Sequence, residues 1–201
     1  MIHLRVNQKK TEPTLIKLIA DSLRQGRVVV LPTDTIYGLS CLADDERAIK
    51  KIRRLKKRET GKPLAVLVAS RAMLKKYVFV SRRQEKILKK IWGEDSRPTT
   101  VILKHRGRLP KILTGNSEGL ALRLPKNDFL LKILKALGKP IVSTSLNLSG
   151  QPTLKDLRDF KKYFPDKSIQ PDLIIDLGRS RRNRPSRVLD LREEKPAVLR
   201  K

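Results

Sequence analysis

Acidic side chains are scarce in this 201-residue chain: 20 Asp and Glu stand against 47 Lys and Arg, a formal net charge of +27. A surface this basic attracts polyanions, whether nucleic acid, nucleotide or anionic lipid. The single cysteine, Cys41, excludes an internal disulfide and a cysteine-based zinc site. Only two histidines occur, His3 and His105, about a hundred positions apart, so both read as ordinary surface or strand-end residues. Aromatic residues make up 4% of the chain, too few for a base-stacking platform. No apolar run approaches the roughly 18 residues that cross a bilayer, and the opening MIHLRVNQKK lacks a secretory apolar segment. The expectation is a soluble, cytoplasmic protein without membrane attachment. Common nucleotide and hydrolase motifs are missing too: there is no GxxxxGK[ST], no GxGxxG after a strand, no HExxH and no GxSxG.

What is present is enough apolar residue, 39%, to build a core. Buried strands alternate with amphipathic helices. Strands are predicted at 2–6, 27–32, 64–68, 100–104, 120–125, 140–144, 173–177, 186–191 and 197–200. Helices are predicted at 14–23, 44–58, 71–77, 82–92, 127–137 and 154–163. The pattern argues for an α/β fold with a mixed sheet, one domain over residues 1–201.

Four segments place polar residues beside buried strands. Pro32-Thr-Asp-Thr-Ile-Tyr-Gly-Leu39 follows a Val-rich strand, where open α/β sheets place ligands, though an ordinary strand exit reads the same way. Lys56 and Arg58 stand two apart before Lys62-Pro63-Leu64; if the helix ends near Lys56, both can reach one polyanion. The alternative there is a solvated basic helix end. Ser143-Thr-Ser-Leu-Asn-Leu-Ser-Gly150 offers small hydroxyls and turn backbone to anionic oxygens. Five arginines fall between Arg179 and Arg187, with no acidic residue among them.

These segments, together with Leu122-Arg123-Leu124-Pro125, resemble the YrdC/TsaC family, the threonylcarbamoyl-AMP synthases, from the Arg27 strand to Arg200. The resemblance implies an enzyme that combines L-threonine, bicarbonate and ATP into threonylcarbamoyl-adenylate and pyrophosphate, for N6-threonylcarbamoyladenosine in tRNA. It implies a twisted mixed β-sheet flanked by helices with a basic central cleft, and a catalytic tetrad of Lys56, Arg58, Ser145 and Asn147. ATP contacts would come from Arg58, Lys62, Ser145, Asn147, Thr153 and Arg200, and threonine contacts from Thr35, Arg123, Ser143 and Ser186. Mg²⁺ would be carried by the ATP phosphates, with no metal site in the protein itself. Leu67 stands where the family often has His, Gly93 to Pro98 replace a Pro-Gly-Pro turn, and Arg187 follows Ser186 in place of Thr. Either the Arg179–Arg187 run or the C-terminal strand would cover the site. Further partners under this reading are tRNA or double-stranded RNA and a tRNA threonylcarbamoyl-transferase complex. The alternatives are a basic RNA-binding module and a paralogue acting on another substrate.

Overall fold

The computed structural model describes residues 1–6, 13–93, 96–154, 156–178 and 185–201. Its strands in chain order are β1 (Ile2–Arg5), β2 (Val29–Leu31), β3 (Gly38–Leu42), β4 (Val66–Leu67), β5 (Thr99–Lys104), β6 (Gly119–Arg123), β7 (Ile141–Ser145), β8 (Leu173–Asp176), β9 (Arg187–Asp190) and β10 (Ala197–Arg200). The helices are α1 (Pro13–Arg24), α2 (Glu46–Leu55), α3 (Arg71–Lys75), α4 (Arg82–Ile91), α5 (Asp128–Leu137) and α6 (Phe160–Tyr163). All ten strands join one sheet in the order β1-β8-β2-β3-β7-β4-β6-β5-β9-β10. Pairing is mixed: β1–β8, β2–β8, β4–β6 and β5–β9 run parallel and the other neighbours antiparallel.

Successive strand residues point to opposite faces, so the sheet has two cores. Val28 and Val30 face one core, with Ala48, Ile49 and Ile52 of α2, Leu88 of α4 and Phe160 of α6. Val29 and Leu31 face the other, with Ile19 and Leu23 of α1 and Leu130, Ile133 and Leu134 of α5. The second core takes its strand residues from β8, β2, β3, β7 and Leu67 of β4. On β5 and β6, Val101, Leu103, Leu120 and Leu122 belong to the α2 side, and the alternate residues Thr100, Ile102, Ala121 and Arg123 face away from it. Those alternate residues line a cleft instead of meeting a helix.

Three expectations are corrected. The predicted helix over 44–58 runs only from Glu46 to Leu55. Asp45 caps its start, accepting from the Ala48 N–H at 2.9 Å, and Lys57 ends it by taking a left-handed φ of 48°. Strand β3 was not anticipated: Gly-Leu-Ser-Cys-Leu is buried at every position, so it shows no alternation. The predicted helix over 154–163 is a 3₁₀ turn, Leu157–Asp159, followed by the single turn of α6. Its start lies at Leu157 because Asp156 caps the turn, its carboxylate accepting from the Arg158 N–H at 2.9 Å.

Candidate functional site

The cleft encloses about 390 Å³. One wall is the β2–β3 connection, with Thr33, Thr35, Ile36 and Tyr37, and another is the segment after α2, with Arg58, Pro63 and Leu64. Thr100, Ala121, Arg123, Ser143 and Ser145 project from the strands, and Ser186 and Arg200 close the side next to β9 and β10. Among the described residues the lining holds three arginines, eight Ser or Thr side chains and no carboxylate. Such a surface selects an anion and can surround its oxygens with donors.

The β2–β3 connection is held by its own side chains. The Thr33 hydroxyl accepts from the Thr35 and Ile36 N–H groups at 3.1 and 3.2 Å and donates to the Ile36 carbonyl at 2.6 Å. That bond set presents Thr35 to Arg123, whose Nη1 donates to Thr35 Oγ1 at 3.2 Å and lies 3.3 Å from Asp34 Oδ1. Burial lowers the pKa of Arg123, the Asp34 charge opposes the shift, and Arg200 adds to it. Two arginines therefore share one field inside the cleft. The Tyr37 hydroxyl donates to the Gly178 carbonyl at 2.7 Å and accepts from the Leu177 N–H at 3.0 Å; burial pushes its pKa up to about 12, so it stays a neutral tether.

On the opposite side, Arg200 Nε donates to the Ser186 carbonyl at 2.9 Å, fastening β10 to the start of β9. The Ser186 hydroxyl meets Thr100 Oγ1 at 2.8 Å. Arg58 lines the cleft while its Nη2 donates to the Pro63 carbonyl at 2.8 Å. Gly38 is fitted between strands: a Cβ there would lie 3.0 Å from Ser143 Oγ and 3.2 Å from the Thr144 carbonyl.

Of the residues singled out in the sequence, Thr35, Arg58, Arg123, Ser143, Ser145, Thr153, Ser186 and Arg200 line the cleft. Lys56 and Asn147 form a layer behind it. Lys56 is 1% exposed, and its ammonium donates to the Ser145 carbonyl, to the Asn147 carbonyl at 2.7 Å and to Asn147 Oδ1 at 2.8 Å. Those three bonds occupy all three of its N–H groups. Burial, with a smaller contribution from the Arg58 charge, brings its pKa down to about 7. Asn147 also accepts from Ser145 Oγ at 2.6 Å and donates to the Gln151 carbonyl at 2.6 Å. The tetrad thus converges, but at two depths. Lys62, expected among the ATP contacts, does not line the cleft: its ammonium turns outward to Glu59 Oε1 at 3.2 Å, within a turn where the Lys62 N–H bonds the Glu59 carbonyl at 3.3 Å. Of the Arg-rich run, 179–184 lie outside the described residues.

Sequence reasoning missed Thr100, which sits in an ordinary strand pattern and carries no local signal. It also passed over Thr33 and Asp34 as individual residues, although the Pro-Thr-Asp-Thr motif contains both.

The family model Sua5_yciO_yrdC, described as "Telomere recombination", matches residues 21–201. The chain belongs to this family. A threonylcarbamoyl-AMP synthase of Haemophilus influenzae is 33% identical over 87% of this chain and 93% of its own length. The crystal structure of Pyrococcus abyssi Sua5 complexed with L-threonine superposes with a TM-score of 0.88 at 31% identity. It covers the whole of this chain, which spans only 57% of that protein. Escherichia coli YciO gives a TM-score of 0.84 at 29% identity, with 94% of its chain covered. The mixed sheet with flanking helices is thus the architecture of this family.

Proposed function

We propose that this chain makes threonylcarbamoyl-AMP from L-threonine, bicarbonate and ATP, releasing pyrophosphate. The observation that carries the reading is the convergence of Arg58, Arg123 and Arg200 on one cleft rich in hydroxyls, with the Asp34 carboxylate buried against Arg123. Two anionic groups, a triphosphate and an amino-acid carboxylate, match that lining. The relatives' name and the threonine complex of the P. abyssi protein support the choice of substrates.

The threonine amine and bicarbonate give a carbamate and water. A carbamate oxygen then attacks the α-phosphorus of ATP, forming the mixed anhydride as the bond to pyrophosphate breaks. No protein nucleophile is required; the protein positions the reactants and offsets the growing negative charge. Arg123, with Thr35 and Ser143 beside it, is placed to hold the threonine carboxylate by a two-pronged contact. In this reading Arg58, Ser145, Thr153 and Arg200 serve the ATP and Ser186 the amino acid, and all five line the cleft. Lys56 and Asn147 act one layer back, fixing Ser145.

Among the described residues no group of three or more His, Cys, Asp or Glu could hold a metal. Mg²⁺ fits this cleft only as a companion of the triphosphate, with hydroxyls such as that of Ser145 nearby, and its contribution when bound is to neutralise phosphate charge. The product's use in tRNA modification, with a transferase partner and tRNA as later recipients, belongs to the same proposal. Among the described residues no helix is long and apolar enough to cross a membrane.

Pyrophosphate release from ATP tests the reading. Release that requires both L-threonine and bicarbonate is expected. Release with another amino acid alone would point to a paralogue with a different substrate. Salt-sensitive RNA binding without ATP consumption would favour the RNA-binding module that the +27 charge also suits.

A further inference from the structure

Arg53 lies on the last turn of α2, one turn before Lys56, and is 4% exposed. Among the described residues no carboxylate pairs with it. Its guanidinium fork instead reaches three backbone carbonyls: Nη1 donates to Glu59 at 2.6 Å, and Nη2 to Lys62 at 2.9 Å and to Ile112 at 2.5 Å. The backbone of the same residue makes a fourth contact, as its carbonyl accepts from the Arg58 N–H at 2.9 Å. Between these bonds runs the segment 58–63, which turns back on itself after the left-handed Lys57. Arg58 sits at its start and returns a bond from its side chain to the Pro63 carbonyl at the end. The loop is pressed from outside as well. Gly115, at a φ of +59°, packs so closely on Gly61 that a Cβ would penetrate the Gly61 carbonyl oxygen.

We propose that Arg53 is the positioning residue for Arg58: its fork ties both ends of the 58–63 loop to α2 and to the 111–113 turn, and so sets where the Arg58 guanidinium meets the cleft. A planar fork suits this work because it supplies several donors in fixed directions, which a lysine ammonium on a flexible stem does not. The threonine side of the cleft is independent of it. Arg123, Thr35 and Ser143 come from β6, the β2–β3 connection and β7, and Arg53 bonds none of them. The proposal rests on ATP phosphates being what Arg58 meets, and it predicts a split between the two substrates.

The test is steady-state pyrophosphate release by the full chain carrying Arg53→Met, Arg53→Lys and Gly115→Ala. Arg53→Met is expected to raise the KM for ATP about tenfold, the scale of losing a residue that orients a ligand, and to leave the KM for L-threonine within about twofold. Arg53→Lys should recover only part of that loss. Gly115→Ala, which displaces the loop from its other side, should give the same split. Arg54→Gln, on the exposed neighbour, is the control and should change neither constant. A lowered melting temperature with an unchanged KM for ATP would overturn the proposal, leaving Arg53 a purely structural clamp. Should Arg53→Met fail to fold, Arg53→Lys decides on the same criterion. If the wild-type chain releases no pyrophosphate at all, the functional reading fails separately, and the ATP-induced rise in melting temperature then tests Arg53 without turnover. A rise in the wild type that is absent in Arg53→Met supports the assignment, and equal rises refute it.

Discussion

Two layers of the same site are built on opposite principles. The inner face of the cleft, with Arg58, Arg123 and Arg200, gathers positive charge along a cavity and ties each guanidinium to the protein by only some of its donors. The layer behind, with Lys56 and Asn147, spends its donors on protein oxygens. Residues two apart in the sequence, Lys56 and Arg58, therefore do different things. Their difference follows from the break in α2: Lys57 reverses the chain at a positive φ, so Lys56 stays buried beneath β7 and Arg58 emerges beside the loop. The lesson is that a short basic motif can combine a ligand contact with the strut that supports it.

Substitutions that strip charge from the inner face should produce the largest losses. Arg58→Gln or Arg123→Gln is expected to lower kcat/KM for pyrophosphate release by about a hundredfold, the scale of removing a preorganised donor from a water-poor site. Thermal stability should change little in Arg58→Gln, and circular dichroism melts alongside the kinetics check both statements. A loss of stability as large as that in Lys56 variants would erase the distinction between the layers.

Lys56→Met should cost both stability and activity. It leaves the Ser145 and Asn147 carbonyls without their donor, and an unpaired buried group costs about 1–3 kcal/mol. Denaturant titration measures this directly. The titration of Lys56 adds a sharper sign. Its folded pKa of about 7 lies below the ordinary 10.5, so between those values the unfolded chain binds a proton that the folded chain does not. Stability of the wild type relative to Lys56→Met should therefore rise with pH across that window and fall as pH drops through about 7. Activity should move oppositely, because the neutral amine above pH 7 has one donor fewer for its three acceptors. Removing the Arg58 charge should shift both transitions to higher pH.

Smaller effects are expected at the edges of the comparison. Gly38→Ala places a Cβ against Ser143 Oγ and should raise the KM for L-threonine several-fold, on the order of 1 kcal/mol of misplacement. Lys62→Ala, which removes only an exposed contact to Glu59, should leave both KM values within about twofold. A larger effect on ATP would return Lys62 to the phosphate contacts.

Much of this organisation was legible in the chain itself. The Val28–Leu31 run and the amphipathic helices α1, α2, α4 and α5 announce an α/β sheet because their periodicities differ so plainly. The Ser143–Gly150 and Pro32–Leu39 motifs do lie at the cleft, where strands β7 and β2 end. What was not legible is depth. Nothing in the one-dimensional spacing of Lys56 and Arg58 says which is buried, because the answer lies in the φ of Lys57 and in a turn 90 residues away. Strand β3 hid because burial on both faces removes alternation, and Thr100 hid because its partner Ser186 is remote in sequence. Lys62 looked like part of a phosphate motif, but its turn with Glu59 directs it outward.

The account is tested most directly by a crystal structure of the protein with a non-hydrolysable ATP analogue and L-threonine. It predicts phosphate oxygens within hydrogen-bonding distance of Arg58 and Ser145, the threonine carboxylate on Arg123, and Lys56 still bonded to Ser145 and Asn147. Phosphates held by Lys56 itself, or bound away from this cleft, would contradict it.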